Sequence, residues 1–239
     1  MRVDVVVAYH EPTQRQWWDY MMWGLDKNSA RLDRVLVVND GKWQDPPTAP
    51  SHVHFLEHGK EGFGLSRSLN LGFARCDTEF VLVIEGDEIL APGSVERTLQ
   101  LAKPDHLLCA LKRYIDPETA HHVLDGGLPV FIEEDHRRKM NPQPERRWSL
   151  CSGGHLLVAR SGHEQIGGFD EHYEYGLHDY DYAARWMRRF GDQTVVWSTE
   201  LGEVWHIGSG KGREAPPPQS WDRLARTLMP LYSPLSRKW

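Results

Sequence analysis

A chain of 239 residues with a net charge of −6 is long enough for one sizeable core and too acidic for a general nucleic-acid binder. Hydrophobic residues at 40% and charged residues at 26% exclude a disordered or fibrous chain. No run reaches the roughly 18 apolar residues that a membrane-spanning helix needs. The cysteines, Cys76, Cys109 and Cys151, are odd in number and far apart, so neither a disulfide framework nor a CxxC metal site is expected. With no signal peptide visible after Met1, a reducing, cytoplasmic setting is the expectation.

Residues 3–8 (VDVVVA) form a β-branched run that predicts a buried parallel strand. The spacing of Trp17, Met21 and Leu25 predicts a helix over 13–25. Strands are expected at 34–38 and 53–56, a helix at 65–75, a strand at 80–84 and a helix at 94–102. Strands and helices alternating at this spacing imply βαβ units around a parallel sheet. The second half is less regular. It offers strands at 106–114, 156–160, 193–197 and 202–206, a helix at 179–190, and a polar, irregular segment over 116–145. GSGKGREAPPPQ, residues 208–219, excludes regular structure and predicts a mobile loop before a terminal helix at 221–229. The chain divides into a regular α/β half of nucleotide-binding type, 1–105, and a less regular half of the same domain, 106–239, to which the family resemblance given below assigns acceptor binding and catalysis.

Ligands of open parallel sheets bind beyond the carboxyl ends of the strands. Three strand ends here are polar: Tyr9-His10-Glu11, Asn39-Asp40-Gly41 and Glu85-Gly86-Asp87. Their convergence on one sheet edge is the main functional signal. The near-fingerprint Gly62-Phe63-Gly64-Leu65-Ser66-Arg67 has Arg in place of the third glycine and lies in the wrong connection for a dinucleotide site. His121-His122 and Glu133 to His136 match no zinc spacing and read as a solvated face. VLVIEGDEIL, 81–90, drives a buried strand into three carboxylates around a glycine. Such charges repel unless they are wet or share a cation, and oxygen donors there suit Mn²⁺ or Mg²⁺. The residues alone leave both readings open.

Several segments in one colinear order resemble the GT-A-type nucleotide-sugar glycosyltransferases, specifically the large inverting family 2. Val5 to Glu11 is similar to that family's first strand, and Val37 to Gly41 to its second. Gly64 to Gly72 resembles the helix before the metal strand, and Val81 to Leu90 the aspartate-x-aspartate segment. Gly167 to Glu171, Leu177 to Tyr182 with Arg185, and Val204-Trp205-His206 resemble the later GGFDE, ED-x-D and metal-histidine segments. Two positions depart from the pattern: Glu85 replaces an aspartate, and His178 replaces the acid before Asp179.

The resemblance implies a GT-A-like fold, a Rossmann-like nucleotide-binding half with a mixed, mainly parallel sheet, plus an acceptor side. It implies metal-dependent, inverting transfer of a hexosyl group from a nucleoside diphosphate sugar, UDP favoured, to a hydroxyl-type acceptor. Asp179 would be the general base, and Asp87 with His206 would hold Mn²⁺ or Mg²⁺. Ala8, Tyr9, His10, Glu11, Asp40, Arg67, Glu85, Gly86, Asp87 and Lys211 would face the donor, with Asp40 reading the base and Lys211 closing as a lid. Trp148, Gly153, Gly154 and His178 would face a small-molecule, saccharide or peptide acceptor. The expected partners are substrates alone, with no nucleic acid or membrane span, and a homodimer is compatible. The alternatives are a sugar-1-phosphate nucleotidyltransferase, whose glycine-rich N-terminal loop is missing after residue 8, and a non-catalytic sugar-binding module.

Overall fold

Val3–Tyr9, β1, is buried along its whole length, as a mostly apolar run without alternation requires of a central parallel strand, and its one charge, Asp4, is paired with Arg34 at 2.7 Å. The computed structural model describes residues 1–59, 64–133, 137, 140, 142–151, 153–173, 176–208 and 218–232. On one flank β1 pairs in parallel with β2 (Leu32–Asn39), which pairs in parallel with β3 (Val53–Glu57). On its other flank lies β4 (Phe80–Glu85), also parallel. Helix α3 (Leu65–Phe73) returns the chain from β3 to β4, and it lies so close to β1 that a Cβ on Gly72 would come 2.3 Å from Val6 Cγ1.

Among the described residues the main sheet has seven strands in the order β10-β6-β9-β4-β1-β2-β3. β9 (Leu156–Ala159) runs antiparallel between β4 and β6 (Leu107–Cys109), and β10 (Val195–Trp197) runs parallel to β6. The sheet therefore draws strands from both sides of residue 105. A second sheet has four strands in the order β5-β11-β7-β8, from Glu88–Leu90, Glu203–Ile207, Leu111–Ile115 and Phe131–Glu133. The fold is α/β with a mixed, mainly parallel sheet. No described helix is long and apolar enough to cross a membrane.

The structure corrects several expected elements. The helix expected over 13–25 is broken into α1 (Glu11–Gln14), a 3₁₀ turn (Arg15–Trp17) and α2 (Trp18–Asp26). The strand expected over 106–114 is two strands in different sheets, parted at Ala110, whose N–H and carbonyl bond His155 and Arg137. The segment over 116–145 holds a 3₁₀ helix (Pro117–Val123), the short strand β8 and the start of another 3₁₀ helix (Pro144–Leu150). Helix α4 (Ser94–Gln100) ends two residues early, and α5 (Arg160–Gln165) follows β9 directly. Helix α6 spans His178–Phe190, and α7 begins at Pro218, inside the stretch expected to be a loop.

Candidate active site

The strand ends converge as the sequence predicts. Ala8 stands opposite Glu85 in the β1–β4 register, and Tyr9 stands opposite Asn39 in the β1–β2 register. The N–H of Asp40 donates to the Tyr9 carbonyl at 2.8 Å, and the N–H of Gly86 donates to the Ala8 carbonyl at 3.0 Å. Gly86 has no alternative at this turn: a Cβ would come 2.4 Å from Gln14 Oε1 and 2.6 Å from Tyr9 Cδ2.

After that turn the chain leaves the main sheet. β5 runs antiparallel to β11, placing Glu88 opposite His206, and the N–H of Ile207 donates to the Asp87 carbonyl at 3.0 Å. A histidine remote in sequence thereby reaches the acidic turn. Glu85, Asp87 and His206 each offer a ligand atom, all within 4.8 Å of one another, and His206 Nε2 lies 3.4 Å from Asp87 Oδ2. Two carboxylates and an imidazole are a donor set that fits Mn²⁺, with Mg²⁺ served mainly by the oxygens.

Behind this trio lies a charge pair. Lys112 of β7 is buried, with Nζ 2.7 Å from Glu88 Oε1 and 3.9 Å from Glu85 Oε2. Glu88 Oε2 also accepts the N–H of Glu85 at 2.9 Å. Burial pushes the Glu88 carboxyl up to about 7 against the opposing pull of Lys112, and Glu85 and Asp87 add to the rise. For Lys112, burial works against the charged form, but Glu88 and Glu85 outweigh it and raise the ammonium's pKa. The Lys112 signal was present in the sequence: a lysine inside the apolar run LLCALKRYI, 107–115, has to find a buried partner.

Asp179 sits in the first turn of α6, half-buried. Its Oδ2 accepts the N–H of Gly153 at 2.7 Å, and its Oδ1 that of Tyr180 at 2.9 Å. Gly153 stands between the two acidic groups, since a Cβ there would lie 2.5 Å from Glu85 Oε1 and 3.9 Å from Asp179 Oδ2. Gly154, at φ +79°, is tighter still, with a Cβ position 1.8 Å from Glu88 Oε1. Trp148 meets Tyr180 edge-on, ring centroids 5.6 Å apart. His178 is buried beside Phe169, with its ring 6.0 Å away.

On the other side, Asp40 Oδ1 lies 2.7 Å from His58 Nε2, and Asp40 Oδ2 accepts the N–H of Gly64 at 2.8 Å. His58 is a partner that sequence reasoning missed, because nothing in its spacing marks it. Arg67, in the first turn of α3, borders Gly64 and lies 3.7 Å from Glu171. Glu11 accepts the N–H groups of Gln44 and Asp45, at 2.8 and 3.2 Å, and so pins the segment after β2. Tyr9 is buried and stacked on Trp43, with centroids 5.4 Å apart, and burial pushes its hydroxyl up to about 12. His10 is half-buried, its Nδ1 2.9 Å from Thr13 Oγ1. Lys211 and residues 209–217 lie outside the described residues.

The sequence profile of the family described as Glycosyl transferase family 2 matches residues 5–167, more than half of the chain. The chain belongs to glycosyl transferase family 2. No curated protein matches it at a significant level. Among solved structures it is similar to GalNAc-T7 determined with UDP, GalNAc and Mn²⁺: TM-score 0.65, 11% identity, covering 95% of this chain and 48% of that one. It is similar also to S. aureus TarS (TM-score 0.60, 11% identity, 95% and 39% covered) and to its fragment 1-349 in complex with UDP (0.61, 12%, 95% and 64%). The chain spans less than two thirds of the length of each. At such identities the likeness is one of fold, and it establishes the GT-A-like architecture expected of family 2.

Proposed function

We propose that this family 2 chain is a metal-dependent, inverting glycosyltransferase. It moves a sugar, in our reading a hexosyl group, from a UDP-sugar to a hydroxyl acceptor. The observation that carries the reading is the juxtaposition at one sheet edge of the Glu85, Asp87 and His206 donor set with Asp179, across Gly153. The UDP and Mn²⁺ named for GalNAc-T7, and the UDP named for TarS, support the donor and the ion.

Asp87 and His206 would hold Mn²⁺ or Mg²⁺. When bound, the ion offsets charge on a diphosphate leaving group. Glu85, the last residue of β4, would complete the donor set around the ion. Asp40, oriented by His58 and the Gly64 N–H, reads the base, and Arg67 lies beside it toward the nucleotide. Ala8, Tyr9, His10 and Gly86 shape the floor between these groups, and Glu11 holds the segment at 44–45 that borders it.

Asp179 takes the proton of the attacking hydroxyl as general base. The Gly153 and Tyr180 N–H groups fix its two oxygens, so the carboxylate is aimed before substrate arrives. The bare backbone at Gly153 and Gly154 leaves room for the sugar, and Trp148 offers an aromatic face to sugar or acceptor. His178 acts on the acceptor side through the seating of its neighbour Asp179.

Titration calorimetry with UDP, with and without Mn²⁺ and with GDP as control, tests the reading. The expected result is UDP binding that needs Mn²⁺, exceeds GDP binding and vanishes in Asp87→Ala. UDP binding indifferent to Mn²⁺ in both proteins would overturn the metal assignment.

A further inference from the structure

Three acids crowd the turn after β4, but only Glu85 and Asp87 join His206 in the donor set. Glu88, directly across from His206 in the β5–β11 register, instead holds the buried ammonium of Lys112 at 2.7 Å. That ammonium is already 3.9 Å from Glu85 Oε2. A lysine head is a compact charge on a flexible four-carbon stem. A shift of little more than 1 Å would place it in contact with Glu85, where its charge would oppose any divalent ion, because like charges repel strongly at such range away from bulk water. Among the described residues, two features help to keep it where it is. The backbone of Gly154 closes over Glu88, leaving no space even for a Cβ, and Glu88 is bonded on its other oxygen by the Glu85 N–H. Strands β5 and β7, on either side of β11, carry the two partners, so the small sheet fixes their separation.

We infer that Glu88 is a positioning residue: it sequesters the Lys112 ammonium and so keeps an internal competitor off the cation site formed by Glu85, Asp87 and His206. The inference rests on the metal-dependent reading above and assigns to Glu88 and Lys112 a task that neither performs by touching substrate. Glu88→Gln removes the tether but keeps the shape. Lys112 then turns to Glu85, and Mn²⁺ affinity falls roughly tenfold or more, as expected for a unit charge moved next to the ion. Glu88→Gln/Lys112→Met removes tether and competitor together and restores the affinity. A purely structural role for the pair predicts instead that Mn²⁺ affinity follows thermal stability across the variants, so Glu88→Gln would lose affinity only as far as its melting temperature falls.

The test is Mn²⁺ titration of the full chain, with and without UDP, reading free Mn²⁺ by electron paramagnetic resonance. Weak binding in Glu88→Gln and recovery in the double variant support the inference. Wild-type affinity in Glu88→Gln, or a double variant as weak as the single, overturns it while leaving the metal reading intact. Absence of Mn²⁺ binding by the wild-type protein overturns both. If thermal melting shows Glu88→Gln unfolded, Lys112→Met decides: affinity equal to or above wild type supports sequestration, and a tenfold loss refutes it.

Discussion

Asp179 and Asp87 separate cleanly in what they are expected to do. Asp179→Asn keeps an oxygen for the Gly153 N–H but cannot take a proton. Turnover should fall by about a hundredfold or more, with Mn²⁺-dependent UDP binding unchanged. A parallel loss of UDP affinity would move Asp179 from base to donor ligand. Asp40→Ala should instead cost donor affinity and discrimination between UDP and GDP, measured by competition calorimetry, while binding of Mn²⁺ alone stays as it was. At this scale the sequence marks carboxylates well, because an acid at the end of a buried strand has few structural reasons to be there. It marks their partners poorly. His58 meets Asp40 one step past the Asn39–Glu57 pair, a register that the sequence does not encode, and the Gly153 N–H reaches Asp179 through a loop whose path no periodicity encodes. Arg185, which looks like part of a site motif, spends its guanidinium on Asp181 and on the carbonyls of Ile166 and Gly168, so it braces the loop before α6.

Among elements, the strands of the main sheet were legible because short runs rich in β-branched residues, such as 3–8 and 81–84, have few other ways to be buried. What was not legible is where a run changes sheets. VLVIEGDEIL reads as one strand with an acidic tip, but it is two strands, β4 and β5, turned about Gly86 into different sheets. The run at 107–115 hides the same change at Ala110. Both breaks depend on distant pairing, with β9 for β6 and with β11 for β5 and β7. Close helix seating is a further property of elements. Gly72→Ala puts a methyl carbon 2.3 Å from Val6 Cγ1, so α3 must lift from β1. Urea unfolding should show a loss of about 1–3 kcal/mol, the usual cost of overpacking. A neutral result would mean that α3 has slack the structure does not show.

For the molecule as a whole, acid stability carries the imprint of two buried imidazoles. His155, at φ +45°, lies between Ser94 and Thr98, which tie α4 to the start of β11. His163 stacks on Phe73 and bonds Tyr182. Burial, with nearby arginines, depresses both to about 3, against an ordinary value near 6.5. Each therefore favours the folded state above 6.5, and that contribution drains as the pH falls toward 3. Glu88 runs the other way. Its raised carboxyl, about 7, recovers stability on protonation down to its ordinary value of 4.5. The three effects partly cancel between 6.5 and 4.5. Below 4.5 only losses remain, joined there by the lowered carboxyls of Asp4 and Asp170, whose burial is outweighed by bonds to Arg34 and Arg223 respectively and to backbone N–H groups. Denaturant unfolding should show a shallow decline from pH 7 to 4.5 and a drop on the order of several kcal/mol by pH 3.5. Stability unchanged at pH 3.5 would mean that the imidazoles are not held neutral.

The route by which β11 enters the second sheet also bears on how the protein is made. All seven described strands of the main sheet precede β11 in the chain and can pair before it leaves the ribosome. The proposed cation site cannot, because His206 meets Asp87 only when β11 slots between β5 and β7. On the metal-dependent reading proposed above, capture of the ion therefore waits for β11 and follows the assembly of the main-sheet edge.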